Sequence, residues 1–392
     1  MSRPVYLDYA AATPLDPAVL AAMEPYLKDH FGNPSSDHSF GRYQREALAK
    51  AQAKIARTLG AKPTEIVLTS GTTESLNLAT QGVAKRFERQ SVVVSAVEHE
   101  AVLQTVSSVP GVELRLAPVG SDGQVQTDRL ASLIDDTTTL ICIQHTNNEL
   151  GVLQPVTAVA ELVDEVRRQR QEYNHDLPLY FVCDAAQAGT LNLQVDRLGV
   201  DMLAMGGSKL YGPAGTGFLY IRTGTQLEPL FFGGGQQLGV RSGTENVAGA
   251  VGLAEALELC QNDRKNEHRR LSELRRQLVD RLTAVEGVRI RTASSQHPGI
   301  ISLTVEGVSG EDVVAHCDAE GFAVATGAAC AASNGKPSTV LLACGLSEAQ
   351  VKGSLRISLG RPTTQEEVAA FGDRFSDIVG RVRQLSGGSE TG

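Results

Sequence analysis

The chain has 392 residues, 42% apolar and 21% charged, and contains Gly 39 and Pro 15. At about 150 residues per domain this predicts two to three domains, and it excludes collagen-like, low-complexity and wholly disordered chains. Lys and Arg number 36 against 45 Asp and Glu, a net charge of −9 that argues against direct nucleic-acid binding through phosphate neutralisation.

The N-terminus Met1-Ser2-Arg3-Pro4-Val5-Tyr6 has no signal-peptide character, and the chain holds no run of about 18 apolar residues for a membrane span. A cytoplasmic protein without a membrane partner is expected. The six cysteines are widely spaced and include no Cys-x-x-Cys pair, the wrong pattern for a zinc site or a disulfide framework, so no metal is expected.

The run from Glu46 to Arg57 is rich in helix formers, and Gly60 ends it. Short β-branched runs then alternate with helical patterns: Ile66 to Leu68, Val92 to Val94, Leu140 to Ile143, Tyr180 to Val182 and Phe218 to Ile221. Near-continuous apolar strands between helices predict a mostly parallel sheet covered on both faces. Ser70-Gly71-Thr72-Thr73-Glu74 lies between the first strand and the helical run Ser75 to Val83. Its amides open a helix, which is either a phosphate site with threonine hydroxyls as extra donors or an ordinary N-cap. His99 also follows a strand, where an imidazole can stack on a flat ring and move protons or simply face solvent.

Asp184 ends the strand Leu179 to Cys183, at the edge where open α/β sheets place ligands. Its partner is a helix N-terminus, an arginine, or the ring nitrogen of pyridoxal phosphate (PLP). The strand Asp201 to Met205 runs into the turn Gly206-Gly207-Ser208-Lys209, which places one lysine in a glycine-rich turn where it is either solvated or able to form a Schiff base. The alternation stops near residue 240, and an amphipathic segment from Glu245 to Val285 reads as one connecting helix or a pair. Strands Ile300 to Val305 and Ser354 to Leu359 and a helix Glu311 to Glu320 form a smaller α/β unit, with the boundary near residue 257. Arg356 sits within an apolar strand and needs an anion, for which a substrate carboxylate suits its planar fork. Cys330 lies in a small-residue loop, Thr326 to Ser338, that leaves a thiol accessible. Cys142, Cys183, Cys260, Cys317 and Cys344 read as buried apolar residues. The tail Ser386 to Gly392 reads as disordered.

Eight ordered blocks now stand together: Tyr6-Leu7-Asp8-Tyr9-Ala10-Ala11-Ala12-Thr13-Pro14, Gly32-Asn33-Pro34-Ser35-Ser36, Thr69-Ser70-Gly71-Thr72-Thr73-Glu74-Ser75, Glu98-His99, Asn147-Asn148-Glu149-Leu150-Gly151, Asp184-Ala185-Ala186-Gln187, Arg241-Ser242-Gly243-Thr244 and Arg356-Ile357-Ser358-Leu359-Gly360-Arg361. Over nearly the whole chain the set resembles the NifS/IscS-type cysteine desulfurases, PLP enzymes of the class V aminotransferase family. The resemblance implies a fold type I enzyme, with a large domain built on a mostly parallel seven-stranded sheet and a smaller C-terminal α/β domain. Residues 1–15 would pack with the small domain, 16–257 would bind PLP and 258–392 would carry the cysteine loop.

By the same resemblance Lys209 is the Schiff-base lysine, Asp184 pairs with the ring nitrogen, Gln187 bonds the phenolic oxygen and His99 stacks on the ring. Thr72, Thr73 and Ser208 would contact the phosphate, with Thr244 reaching it from the other subunit of a homodimer. Asn148, Arg356 and Asn33 would bind L-cysteine, and Cys330 would take its sulfur as a persulfide for an acceptor protein in iron–sulfur assembly, tRNA thiolation or DNA phosphorothioation. The chain departs from the family at Gly206 and Ser208, where a Ser and a His are usual, and at Thr326 and Ala328, where Ser is commoner. It also lacks the longer apolar C-terminal segment that housekeeping members use to dock an iron–sulfur scaffold. The alternatives are a lyase or aminotransferase of the same fold acting on selenocysteine or another amino acid, against which Cys330 argues, and a weakly active partner protein, which Gly206 and Ser208 motivate.

Overall fold

The computed structural model describes residues 4–291, 293, 295–327 and 337–387; Cys330 and its neighbours 328–336 lie outside the described residues. The first strand, β1 (Val5–Tyr6), leads into a helix Pro17–Lys28 that Asp16 caps by accepting from the Ala18 amide at 2.8 Å. The helix-forming run becomes Ser39–Leu59, closed by Gly60 at φ 72°.

Seven strands follow in one sheet: β2 (Ile66–Thr69), β3 (Gln90–Ser95), β4 (Val112–Ala117), β5 (Thr138–Cys142), β6 (Tyr180–Asp184), β7 (Met202–Gly206) and β8 (Gly217–Ile221), in the order β2-β8-β7-β6-β5-β3-β4. β8 runs antiparallel to both neighbours, and every other pairing is parallel. Alternate side chains feed two cores. Val93, Ile141, Phe181, Leu203 and Phe218 pack one face with the helix Ser39–Leu59. Val92, Val94, Leu140, Val182 and Leu219 pack the other with the helix Thr72–Ala84. Because β2, β3, β5, β6 and β7 point the same way, the segments after Thr69, Ser95, Cys142, Asp184 and Gly206 all emerge at one edge.

The segment after residue 245 is one helix, Val247–Leu282, of 36 residues. Its first half, to Cys260, belongs to the core of the large sheet, and its second half, from Leu271, to a separate core with Leu7, Ile301, Leu355 and Phe371. That second core is built on β9 (Val288–Arg291), β10 (Ile300–Val305), β11 (Phe322–Ala323), β12 (Ala325–Thr326) and β13 (Ser354–Ser358). The sheet order there is β12-β13-β10-β9, all antiparallel, while β1 pairs in parallel with β11. The last helix, Gln365–Gly387, takes in Ser386 and Gly387, which the polar composition assigns to a disordered tail. The helical repeat of Val368, Phe371, Phe375, Ile378, Val379 and Val382, all buried, explains the correction, since a packed apolar stripe carries its last turn past the end of the pattern.

Candidate active site

At that edge lies a cavity of about 390 Å³. β2 reaches it through Ser70 and Gly71, and the helix Thr72–Ala84 begins there. Gly71 adopts φ 154°, a region that favours glycine, and a Cβ added to it would meet nothing within 4 Å. The helix start is therefore open to the cavity, with Thr72 and Thr73 lining it. Glu74 secures this turn: its Oε2 accepts from the Ser70 amide at 2.8 Å and its Oε1 from Arg241 Nε at 2.8 Å. Burial raises the Glu74 carboxyl, but the bonds from Arg241 and Ser70 outweigh it and hold it below its ordinary value.

β3 delivers His99, which caps the helix Glu100–Ser108 by accepting from the Ala101 amide on Nδ1 at 3.0 Å. With Nδ1 accepting, Nε2 is the ring nitrogen that carries a hydrogen. β6 ends in Asp184, buried, whose Oδ1 accepts from the Ala186 amide at 2.9 Å. Burial pushes its carboxyl up, and the Ala186 bond, His99 and Lys209 oppose the push. A buried carboxylate so placed calls for a cation. β7 leads through a short turn to Lys209, whose Nζ donates to the Ala11 carbonyl, and Gln187 Nε2 donates to the Ala10 carbonyl at 2.9 Å. Ser208 lines the same cavity.

On the remaining wall Asn148 follows β5, and Arg356 stands mid-strand on β13 with 4% of its side chain exposed. Arg356 donates from Nη2 to Asp8 at 2.7 Å and from Nη1 to the Asn148 carbonyl at 3.1 Å. Its Nε is buried and finds no acceptor among the described residues.

Nine of the twelve expected site residues thus line one cavity. Asn33 does not: it is exposed in a turn, accepting from the Ser35 amide at 2.9 Å. Thr244 lines a neighbouring, smaller cavity with Thr69, Ser70 and Arg241. Cys330 lies outside the described residues. Four nearby carboxylates, Asp8, Glu74, Glu98 and Glu149, stand inside the ordered blocks but receive no role from the sequence. Glu149 accepts from Ser338 Oγ at 2.6 Å, and burial pushes its carboxyl up to about 7 against the opposing pull of that bond and of Arg356.

Gly206 also receives an explanation. Its φ of −136° is open to any residue, so a strained backbone does not require the glycine. A Cβ there would instead lie 2.7 Å from Thr72 Oγ1 and 3.1 Å from the Thr72 amide nitrogen. A serine at this position would crowd the start of that helix.

A lysine, a buried carboxylate and an open helix N-terminus, gathered at the C-terminal edge of this sheet, define a PLP-dependent enzyme of fold type I. A family model described as aminotransferase class-V matches residues 5–371. The chain is 41% identical over 397 residues to the cysteine desulfurase IscS of Dictyoglomus turgidum, an alignment spanning 98% of this chain and 97% of the relative. A solved NifS-like protein superposes with a TM-score of 0.89 at 33% identity, covering 96% of this chain and 100% of the other. SspA in complex with cysteine superposes at 0.76 and 33% identity, covering 91% and 98%. The chain belongs to the class-V aminotransferase family and, within it, to the cysteine desulfurases.

Enzymes of this family depend on PLP, and the residues present fit that group. The open helix start with its two threonines suits a phosphate, Lys209 suits an aldehyde, and the buried Asp184 suits a ring nitrogen that carries a proton.

Proposed function

We propose that this chain converts L-cysteine to L-alanine and takes the sulfur onto Cys330 as a persulfide, working as a homodimer that hands the sulfur to an acceptor protein. The observation that carries this is the convergence of Lys209, Asp184, His99, Thr72 and Arg356 on one cavity from five separate strands. Lys209 would bond the cofactor, Asp184 its ring nitrogen, Gln187 its phenolic oxygen and His99 its ring face. Thr72, Thr73 and Ser208 would hold the phosphate, joined by Thr244 of a second copy. PLP, when bound, withdraws electron density from the substrate's α-carbon.

The chain's own residues do the rest. Arg356, whose Nε–H has no acceptor among the described residues, and Asn148 grip the substrate carboxylate, while Asn33, which lies outside the cavity, is left without a contact there. His99 Nε2 and Lys209 Nζ are the groups placed to move protons at the pocket wall. The thiolate of Cys330 attacks the substrate sulfur. One S–S bond forms and one C–S bond breaks, and the carbon left behind takes the electron pair and a proton to become the methyl group of alanine.

Two features support the finer parts. Phe231, Phe232 and Leu238 are exposed on the segment that carries Thr244, an apolar surface suited to a second copy of the chain. The five described cysteines are all free thiols, consistent with a reducing, cytoplasmic compartment. The division into residues 1–15, 16–257 and 258–392 belongs to the same reading, supported by Leu7 lying in the second core and by the change of core after Cys260. Iron–sulfur assembly, tRNA thiolation and DNA phosphorothioation remain the acceptor classes.

Incubation with L-cysteine tests the proposal. Wild type should release alanine and show a 32-Da sulfur adduct (about one sulfur atom) on the Cys330 peptide, and Cys330→Ser should do neither while still binding cysteine. Alanine release at the wild-type rate from Cys330→Ser would refute the persulfide step.

A further inference from the structure

The segment Asp8 to Thr13 straps four candidate site residues together. Thr13 donates through its amide and its hydroxyl to the Ser208 carbonyl, at 2.9 and 3.1 Å. The Ala11 carbonyl accepts from Lys209 and the Ala10 carbonyl from Gln187. Asp8 pairs with Arg356. Only the last contact joins two opposite charges, and it joins them where water is scarce: the Arg356 side chain is 4% exposed and that of Asp8 20%.

This pairing bears on the carboxylate grip. With Asp8 ionised, the charge of Arg356 is already balanced before any substrate arrives. A substrate carboxylate then adds a second anion beside one guanidinium, in a place where charges are weakly screened. Yet the fork is not saturated. Nη2 serves Asp8, Nη1 serves the Asn148 carbonyl, and the buried Nε–H has no acceptor among the described residues. A buried donor without a partner is costly, so this atom favours an incoming oxygen while Asp8 opposes its charge.

We propose that Asp8 is a positioning residue and resident counter-ion of Arg356, which holds the guanidinium in register and moderates its affinity for amino-acid carboxylates so that the product can leave. The proposal rests on the reading of Arg356 as the carboxylate site. It assigns a function to the Asp8 side chain, which lies outside the groups that would touch the cofactor. The product keeps the carboxylate of the substrate, so a guanidinium without its counter-ion would hold both too long.

The test is calorimetric titration of the holoenzyme with L-alanine and with L-alaninamide, which lacks the carboxylate. Wild type should prefer alanine. Asp8→Asn keeps an oxygen acceptor for Nη2 but removes the charge, and it should widen that preference about fivefold or more while raising inhibition by alanine. Asp8→Glu, which restores the charge, should return the preference toward wild type. In steady state Asp8→Asn should lower KM for cysteine together with kcat, whereas a merely structural role would raise KM. If wild type prefers alanine and Asp8→Asn leaves the preference unchanged or narrows it, the counter-ion proposal is overturned and the reading of Arg356 stands. If wild type does not distinguish the two ligands, the reading of Arg356 fails and the proposal falls with it.

Discussion

Gly206→Ser restores the residue usual in the family at the head of the lysine turn, and the structure predicts that it weakens cofactor binding. The backbone accepts a side chain, with φ −136° and ψ 145°. The obstacle is Thr72, whose Oγ1 would lie 2.7 Å and whose amide nitrogen 3.1 Å from the new Cβ. Either the Thr72 hydroxyl rotates away or the first turn of the helix shifts. On the proposed reading of Thr72 as a phosphate ligand, both cost the phosphate a donor, and a hydrogen bond to a charged group is worth about 1.5–3 kcal/mol. The serine hydroxyl returns part of that, leaving a net loss of about 1–2 kcal/mol, or roughly a 5- to 30-fold rise in the PLP dissociation constant. Titration of the apoenzyme with PLP, followed by absorbance, measures it directly. The double-mutant cycle with Thr72→Ala isolates the cause, because removing Oγ1 should relieve most of the penalty of Gly206→Ser. An affinity unchanged or tighter in Gly206→Ser, or additive losses in the cycle, would refute the steric argument.

Glu149→Gln should change the pH dependence of stability. The folded carboxyl is raised from 4.5 to about 7, so between those values the unfolded chain gives up a proton that the folded chain keeps, and wild-type stability falls across that window. The variant lacks this loss, so its stability relative to wild type should improve by up to about 3 kcal/mol between pH 4.5 and pH 8 in urea unfolding; an offset equal at both pH values would count against the assignment. Brief alkylation of the native protein with iodoacetamide at neutral pH should fall on Cys330. Burial pushes Cys260 and Cys344 up to about 11 and Cys317 to about 12, and raises Cys142 and Cys183 as well. Comparable labelling of Cys344 or Cys317 on mapped peptides would contradict that selectivity.

The placements legible in the sequence share one physical cause. Asp184, Lys209, His99 and Thr72 each stand at or just after the end of a short apolar run, and a run that forms a parallel strand delivers the residues at its C-terminal end to a common edge. The Asp8–Arg356 pair was not legible, because it joins residues 348 positions apart and neither periodicity nor turn chemistry spans that distance. Strands of two residues, such as β1, β11 and β12, are too short to show an alternation. The helix Val247–Leu282 was ambiguous for another reason. Each half is amphipathic toward a different core, so the pattern shifts partway along although the backbone does not break. The reason for Gly206 was hidden as well, since the demand comes from Thr72, which the chain brings alongside only after folding.

The same packing gives two buried carboxyls behind the cavity different surroundings. Glu98, next to His99, is buried; its Oε1 accepts from the Gln144 amide at 2.7 Å, and its Oε2 has no partner among the described residues. Burial drives its carboxyl well above the ordinary range, the Gln144 bond pulls the other way, and the neighbouring Asp184 adds to the rise. Asp184 is buried too, but it has what Glu98 lacks: the opposing pull of His99 and Lys209 in addition to a backbone donor. Burial thus raises both carboxyls, Glu98 the further, and Asp184 has the pull of His99 and Lys209 against the rise. The difference between the two carboxyls arises from which strand ends carry donors and cations.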